Sequence, residues 1–240
     1  MNTASVPYQF NPSITQPAYL TRNRLLRSVA ELAPSLQGKV LDFGCGAKPY
    51  QSLFTQAAQY IGVDYQNEGH SHENEHIDFF YDGKTLPFAN GEYDAIFSSE
   101  VFEHVFNLDG IMKELNRVLK PGGSLLLTCP FAICEHEVPN DFARYSSFAI
   151  RHILEKNGFT VTRQFKTANA VETVFQLWIN YIHQYITPFV AKIPVVRSVF
   201  RVTTYGILNL TAIALGALLP RGESLYLNNV VLAQKNGAAI

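Results

Sequence analysis

The sequence predicts an α/β fold built on a mostly parallel sheet, and three observations carry that expectation. Short apolar runs alternate with segments of helical periodicity along most of the 240 residues, the pattern of right-handed βαβ units. The first run, Val40-Leu41-Asp42-Phe43, breaks into Gly44-Cys45-Gly46. Two glycines closing a buried strand allow positive φ and close approach of a ligand to the backbone. A second run, Tyr60-Ile61-Gly62-Val63, again ends on an acid, Asp64, about 20 residues after the glycines, where an acid can accept hydrogen bonds from ribose hydroxyls.

The remaining elements follow in order. The prolines and polar residues of positions 1–18 read as an extended arm leading into a helix over about 19–33. Strands are expected near 39–43, 59–63, 76–80, 93–98, 123–129, 159–166 and 225–234, and helices near 48–57, 107–119 and 146–157. Pro121-Gly122-Gly123 reads as a helix stop followed by a turn into a strand.

Composition bounds the function. A formal net charge of -1 and the lack of a basic stripe with interleaved aromatics exclude a polynucleotide as a bulk electrostatic partner. Cys45, Cys129 and Cys134 are too few and too scattered for a disulfide framework or a zinc set. A reducing, cytoplasmic setting is expected, and the amino-terminal residues show neither a basic region nor an apolar core that would read as a secretion signal.

The glycine turn selects among nucleotide ligands. The dinucleotide fingerprint needs a third glycine where the chain has Pro49, which disfavours a nicotinamide oxidoreductase. A triphosphate-binding G-x-x-x-x-G-K-[ST] is also missing. What remains is an acid and two glycines facing a ligand that needs no phosphate pocket.

Further motifs follow at regular spacing: Phe79-Phe80-Tyr81-Asp82, Leu86-Pro87-Phe88, Glu92 to Val105, and Glu114 to Thr128. This ordered series resembles the class I S-adenosylmethionine (SAM)-dependent methyltransferases, in particular their type 11 small-molecule branch, from about Tyr19 to Phe165. The resemblance implies a doubly wound, seven-stranded sheet of order 3-2-1-4-5-7-6 with the last strand antiparallel. It implies SAM as cofactor, with Gly44 and Gly46 flanking its methionine end and Asp42 near its amino group. Asp64 would hold the ribose, Asp82 the adenine amino group, and Ser99-Glu100 the loop beneath the sulfonium.

Methyl transfer from a sulfonium needs positioning above all, and a base where the acceptor must lose a proton. Polar residues after the fourth and fifth strands are therefore the candidates. His104 follows Glu100 at the one-face spacing of a helix; it is either a base or an orienting hydrogen bonder. After the fifth strand, His136, Asp141, Arg144 and Tyr145 match the H-x-x-P-x-D-x-x-R-Y pattern of the subgroup the chain resembles. That resemblance makes His136 the preferred base and Asp141, Arg144 and Tyr145 acceptor-binding residues. The plainer reading is an Asp141–Arg144 pair with Tyr145 capping the next helix. Phe43, Tyr50 and Phe131 could offer a ring to the sulfonium or simply fill the core. The run Glu68 to His76 is dense in histidines and carboxylates but fits no zinc spacing; a solvated loop, and no metal, is expected.

Residues 171–222 differ from the rest. No carboxylate occurs between Glu172 and Glu223, while Lys192, Arg197, Arg201 and Arg221 do. Phe175, Trp178, Ile179, Ile182, Ile186 and Phe189 recur at helical spacing, and Val202 to Pro220 holds no charge. A spanning helix conflicts with the final strand, near Leu225 to Ala233, which must return to the sheet. The expectation is a helical insertion, 171–222, within a methyltransferase domain of 1–170 and 223–240. It serves as a cap, a homodimer contact or an in-plane element at the inner face of a membrane.

The function expected is methylation of a small or lipid-linked acceptor, such as a glycan or isoprenoid. The rival is a SAM-binding homologue that has lost catalysis and acts as a membrane-associated scaffold.

Overall fold

The computed structural model describes residues 5–66, 76–190, 192 and 194–237. Seven strands form one sheet of order β3-β2-β1-β4-β5-β7-β6: β1 Gly38–Phe43, β2 Ala57–Tyr65, β3 Phe79–Tyr81, β4 Tyr93–Ser99, β5 Leu119–Pro130, β6 Phe159–Lys166 and β7 Asn228–Lys235. Strands β1 to β5 pair in parallel, while β7 lies antiparallel between β5 and β6. This is the sheet the family resemblance implies.

Alternation along the strands sorts side chains into two cores. On one face Leu41, Phe43, Ile96, Leu125 and Leu127 meet helices α2 (Leu108–Val118) and α3 (Ser147–Lys156). On the other, Val40, Ala95, Phe97, Leu126 and Val230 meet α1 (Tyr19–Leu32). Period-two alternation with helices on both faces is what doubly wound sheets require.

The helix expected over 48–57 does not form. Lys48 adopts φ 51, a left-handed conformation that interrupts helical backbone. After Pro49 only a single 3-10 turn, Gln51–Leu53, precedes β2. The short connection drops Tyr50, Leu53 and Phe54 into the α1-side core. Pro121-Gly122-Gly123 also departs from expectation: these residues lie inside β5, at a register shift against β4. Gly122 takes φ 75, and a Cβ at Gly123 would stand 2.9 Å from the Asp94 carbonyl oxygen.

The apolar segment forms two helical legs. The outgoing leg is α4 (Ala170–Tyr181), a π-helical turn at Ile182–Ile186 and α5 (Thr187–Val190); the returning leg is α6 (Pro194–Phe200), a π turn at Arg201–Tyr205 and α7 (Gly206–Leu218). Asn169 and Glu172 make a capping box at the start of α4, and Glu172 pairs with Arg24 of α1. Asn169 Nδ2 donates to the Gly216 carbonyl at 3.0 Å, joining the two legs at their base. The amino-terminal arm is laced to them: Asn209 donates to the carbonyls of Ile14 and Gln16, and Gln176 to that of Pro17. A third core of Leu20, Ile179, Ile182, Tyr205, Ala212 and Leu227 seals this base.

Farther out the legs are bare. Trp178 is 53% exposed and Phe189 76% exposed, with Tyr185, Val195, Val199, Ile207 and Leu210 also exposed. Val195–Leu218 is long and apolar enough to cross a membrane by length and composition, and 28% of its most apolar window is buried.

Candidate functional site

The carboxyl end of β1 forms a tight turn. Gly44 and Gly46 have φ values of 71 and 45, a region that favours glycine. A Cβ on Gly44 would come within 2.3 Å of the Val101 side chain. The amides of Gly44 and Cys45 donate to the Val63 carbonyl, fastening the turn to β2.

Two acids border this turn, and a third follows β3. Asp42 is buried and accepts a hydrogen bond from the Tyr60 hydroxyl at 2.7 Å. Burial pushes its carboxyl up to about 7, against the opposing pull of that hydrogen bond. Asp64 Oδ2 accepts the Gly46 amide at 2.8 Å, and Oδ1 accepts the Tyr65 amide at 2.7 Å. Asp82, just beyond β3, accepts the amides of Thr85 and Lys84 at 2.8 and 2.9 Å, which hold its carboxyl below the usual range. Lys48 pairs with Asp78, whose carboxylate also accepts the Gly62 amide at 2.7 Å.

Past β4, Glu100 takes φ 58 and turns back toward β5 and β7. Its Oε1 accepts from the Thr128 hydroxyl at 2.8 Å and its Oε2 from Asn228 Nδ2 at 2.5 Å. Ser99 Oγ lies 2.9 Å from Thr128 Oγ1, extending the network. Burial, and then the nearby Glu103 carboxylate, push the Glu100 carboxyl up to about 8.

The helical relation between Glu100 and His104 is overturned. Glu100 is left-handed and Phe102–His104 is a single 3-10 turn, so the two do not share a helix face. Instead His104 Nδ1 donates to the Asn140 carbonyl at 2.7 Å, and its Nε2 lies 3.7 Å from Glu103 Oε1. His136 arrives from the loop after β5 and places its own Nε2 3.7 Å from the same oxygen. The two imidazole rings meet edge-on, with centroids 4.8 Å apart. The Glu103 carboxylate raises the His136 pKa above the ordinary histidine value.

Asp141 and Arg144 form the bidentate pair of the plainer reading, at 2.5 and 2.6 Å. Asp141 also accepts the His136 amide at 2.9 Å. Arg144 holds its carboxyl well below the usual carboxylate range. This pair fixes the His136 loop. Tyr145 does not cap α3; Ser146 does, accepting the Ala149 amide. The Tyr145 ring packs against the α2–α3 core and its carbonyl accepts from Asn229. Phe43 and Tyr50 are closed into the two cores, so neither offers a face to a ligand, and Phe131 stacks on Tyr226 with centroids 4.4 Å apart.

Sequence reasoning assigned no role to Glu103, Thr128, Asn228 or Arg22. Arg22 of α1 lies over the Phe10 ring at 4.8 Å and its charge reaches Glu100 and Tyr50. Glu103 stood inside an already conspicuous motif, and an acid beside a histidine in an otherwise apolar run was its signal. Asn228 comes from the last strand and carries none. Of the run Glu68 to His76, residues 68–75 lie outside the described residues; the His76 amide donates to the Gly46 carbonyl at 3.3 Å. A cavity of about 650 Å³ lies beside His136, lined by Cys134, Glu135 and Val138 on one side and Leu177, Tyr181, Gln184 and Tyr185 on the other.

Residues 18–170 match a family described as a methyltransferase domain. Malonyl-(acyl-carrier protein) O-methyltransferase of Erwinia pyrifoliae is 29% identical over 121 residues, covering 48% of this chain and 46% of that protein. The mitochondrial ubiquinone biosynthesis O-methyltransferase of Bos taurus is 33% identical over 123 residues, covering 45% of this chain and 33% of that protein. A sterol 24-C-methyltransferase of Aspergillus fumigatus is 36% identical over 102 residues, covering 35% and 26%. The chain thus spans half or less of the length of each of these relatives. Phosphoethanolamine N-methyltransferase 2 of Haemonchus contortus, solved with SAM, shares the fold at a TM-score of 0.55 and 19% identity, covering 98% of this chain and 56% of that one. The cyclase SpnF shares it at 0.56 and 19%, covering 90% and 82%. The family match, the strand order and the glycine turn with its bordering acids agree: the chain belongs to the class I SAM-dependent methyltransferase family, and SAM is its cofactor.

Proposed function

We propose that the protein methylates a small, lipid-linked acceptor at the cytoplasmic face of a membrane. The observation that carries this reading is the cavity shared by the His136 loop and the outgoing helical leg. One wall is Cys134, Glu135 and Val138, the chain neighbours of His136, and the other, Leu177, Tyr181 and Tyr185, continues onto bare apolar helix. Exposed aromatics and aliphatics with cations and no carboxylate fit an element lying in a lipid interface. The sterol and ubiquinone-pathway names of two relatives lend the same direction to the acceptor.

Bound SAM supplies a methyl group already activated by its sulfonium charge. The glycine turn holds the methionine end, with Asp42 beside the amino group, and a Cβ at Gly44 would displace Val101 from this turn. Asp64 holds the ribose and Asp82 the adenine amino group. Ser99 and Glu100, braced by Thr128 and Asn228, floor the reacting centre. His136, with His104 beside it, receives the acceptor's proton; the Asp141–Arg144 pair fixes the loop, and Tyr145 borders the acceptor. Positioning of this kind can lower a barrier by roughly 7–11 kcal/mol, and a base adds about 10²–10⁴-fold.

Membrane extract incubated with the protein and methyl-labelled SAM, analysed by untargeted mass spectrometry, tests the reading. A labelled, organic-soluble product is expected; label confined to water-soluble products refutes the lipid-linked acceptor. SAM binding with no product in any fraction favours the scaffold.

A further inference from the structure

Glu103 is completely buried, and neither carboxylate oxygen has a hydrogen-bond partner among the described residues. Carboxylates are not taken out of water without compensation by donors, cations or a metal. His104 Nε2 and His136 Nε2 each stand 3.7 Å from Oε1, too far for an N–H···O bond.

The far sides of both rings explain what the near sides offer. His104 Nδ1 lies 2.7 Å from the Asn140 carbonyl, which can only accept, so Nδ1 carries the proton and Nε2 a lone pair. His136 Nδ1 lies 3.3 Å from both the Cys134 carbonyl and Asp141 Oδ2, with the Arg144 guanidinium at 3.4 Å. Two acceptors and one donor face this nitrogen; with the proton held at Nδ1, Nε2 is left as a lone pair once an ion stands between it and Glu103. An imidazole donating its outer N–H to a carbonyl or carboxylate is the arrangement of metal-bound histidine. The three ligand atoms lie within 4.8 Å of one another. Bonds of about 2.0–2.1 Å to one ion would set them roughly 3.3 Å apart, a contraction of a few tenths of an ångström along the Glu103 edges and of up to about 1.5 Å between the two imidazoles, which a swing of the part-exposed His136 ring would have to supply.

We propose that Glu103, His104 and His136 bind a divalent transition-metal ion, with an open coordination position on the acceptor side of the cleft. Two imidazoles and one carboxylate favour zinc, iron, cobalt or manganese over magnesium or calcium. Three protein ligands with one position open are the mark of a catalytic rather than a structural centre. The openness lies at His136, whose side chain is 32% exposed, against 0% for Glu103. Glu137 Oε2, 3.8 Å from His104 Nε2 on a largely exposed side chain, can enter as a fourth ligand.

The ion's role rests on the methyl-transfer reading. With the ion bound, His136 would serve as a ligand in place of acting as the base: an acceptor hydroxyl at the open position would release its proton to solvent, and the O–H pair would become the attacking pair. The O–CH₃ bond forms as the S–CH₃ bond breaks, its electrons remaining on sulfur as S-adenosylhomocysteine. The acceptor is then an oxygen nucleophile.

The test uses the full chain, stripped with chelator and titrated with Co²⁺ by visible spectroscopy and with Zn²⁺ by calorimetry. One equivalent is expected, with the d–d bands of a low-symmetry nitrogen–oxygen site. His104→Ala and His136→Ala should each weaken binding at least tenfold, and Glu103→Gln should abolish it. The half-exposed His136 position keeps the test valid should Glu103→Gln fail to fold. Replacing His70, His72 and His76 with serine should change nothing. Absence of bands and heat, or binding lost only in that serine variant, overturns the site. SAM titration of the stripped protein is read separately: SAM binding without metal binding sinks this proposal alone, and metal binding without SAM binding sinks only the methyl-transfer reading.

Discussion

The Asp64 carboxylate accepts the Gly46 amide at 2.8 Å, so the acid that ends β2 is tied to the glycine turn that ends β1. An acid in this position is already oriented before a sugar arrives. Asp64→Ala should lower SAM affinity by about 1.5–3 kcal/mol, roughly 10- to 150-fold, the cost of a charge-assisted hydrogen bond. Calorimetry reads this directly, and unchanged affinity refutes the ribose assignment. Asp64→Asn retains an oxygen acceptor for Gly46 and should fall between the two.

Burial keeps Asp42 protonated up to about pH 7. If the SAM ammonium meets this carboxylate, binding stabilises the ionised form and expels the proton wherever the free protein carries one. Below about pH 7 the ligand therefore competes with a proton. Affinity should climb with pH between 5.5 and 7, by at most about tenfold per pH unit, and then level off. Asp42→Asn should flatten the profile. A wild-type profile that is already flat removes Asp42 from the amino-group contact.

His136→Ala should reduce kcat by about 10²–10⁴-fold while SAM affinity stays within a few-fold of wild type. Single-turnover kinetics at saturating SAM distinguish this from lost binding. Wild-type turnover would remove His136 from the chemistry.

The bare legs should take the protein to lipid. Flotation with phosphatidylcholine vesicles should improve on adding phosphatidylglycerol. Lys192→Ser with Arg197→Ser should cost about 2 kcal/mol of that affinity, roughly 30-fold. Phe189→Ser should cost about 1.5–3 kcal/mol on either vesicle. A protein that ignores both vesicles and migrates as a dimer assigns the surface to a second copy instead.

Much of this molecule was legible in its sequence because the signals were local. Leu41 and Phe43 facing one core and Val40 the other follow from strand alternation, and Gly44, Gly46 and Asp64 follow from where a strand must stop. The failures share a cause. Lys48 in the left-handed region interrupts the helix expected over 48–57 at its first residue, and only one 3-10 turn precedes β2. Glu100 and His104 have helical spacing, but the backbone between them is bent by the left-handed Glu100. The buried Glu103 became visible only when the 131–142 loop folded back across it, and the Asn228 contact needed a strand from the end of the chain.

The lacing of the arm to the helical legs has a mechanical side. Asn209 and Gln176 hold the carbonyls of Ile14, Gln16 and Pro17, and the same arm rests Phe10 edge-on against Tyr50, next to the glycine turn. The arm is in effect a strap between the greasy legs and the core beneath the glycine turn, so cutting its bonds at Asn209 or Gln176 should loosen both anchorages together.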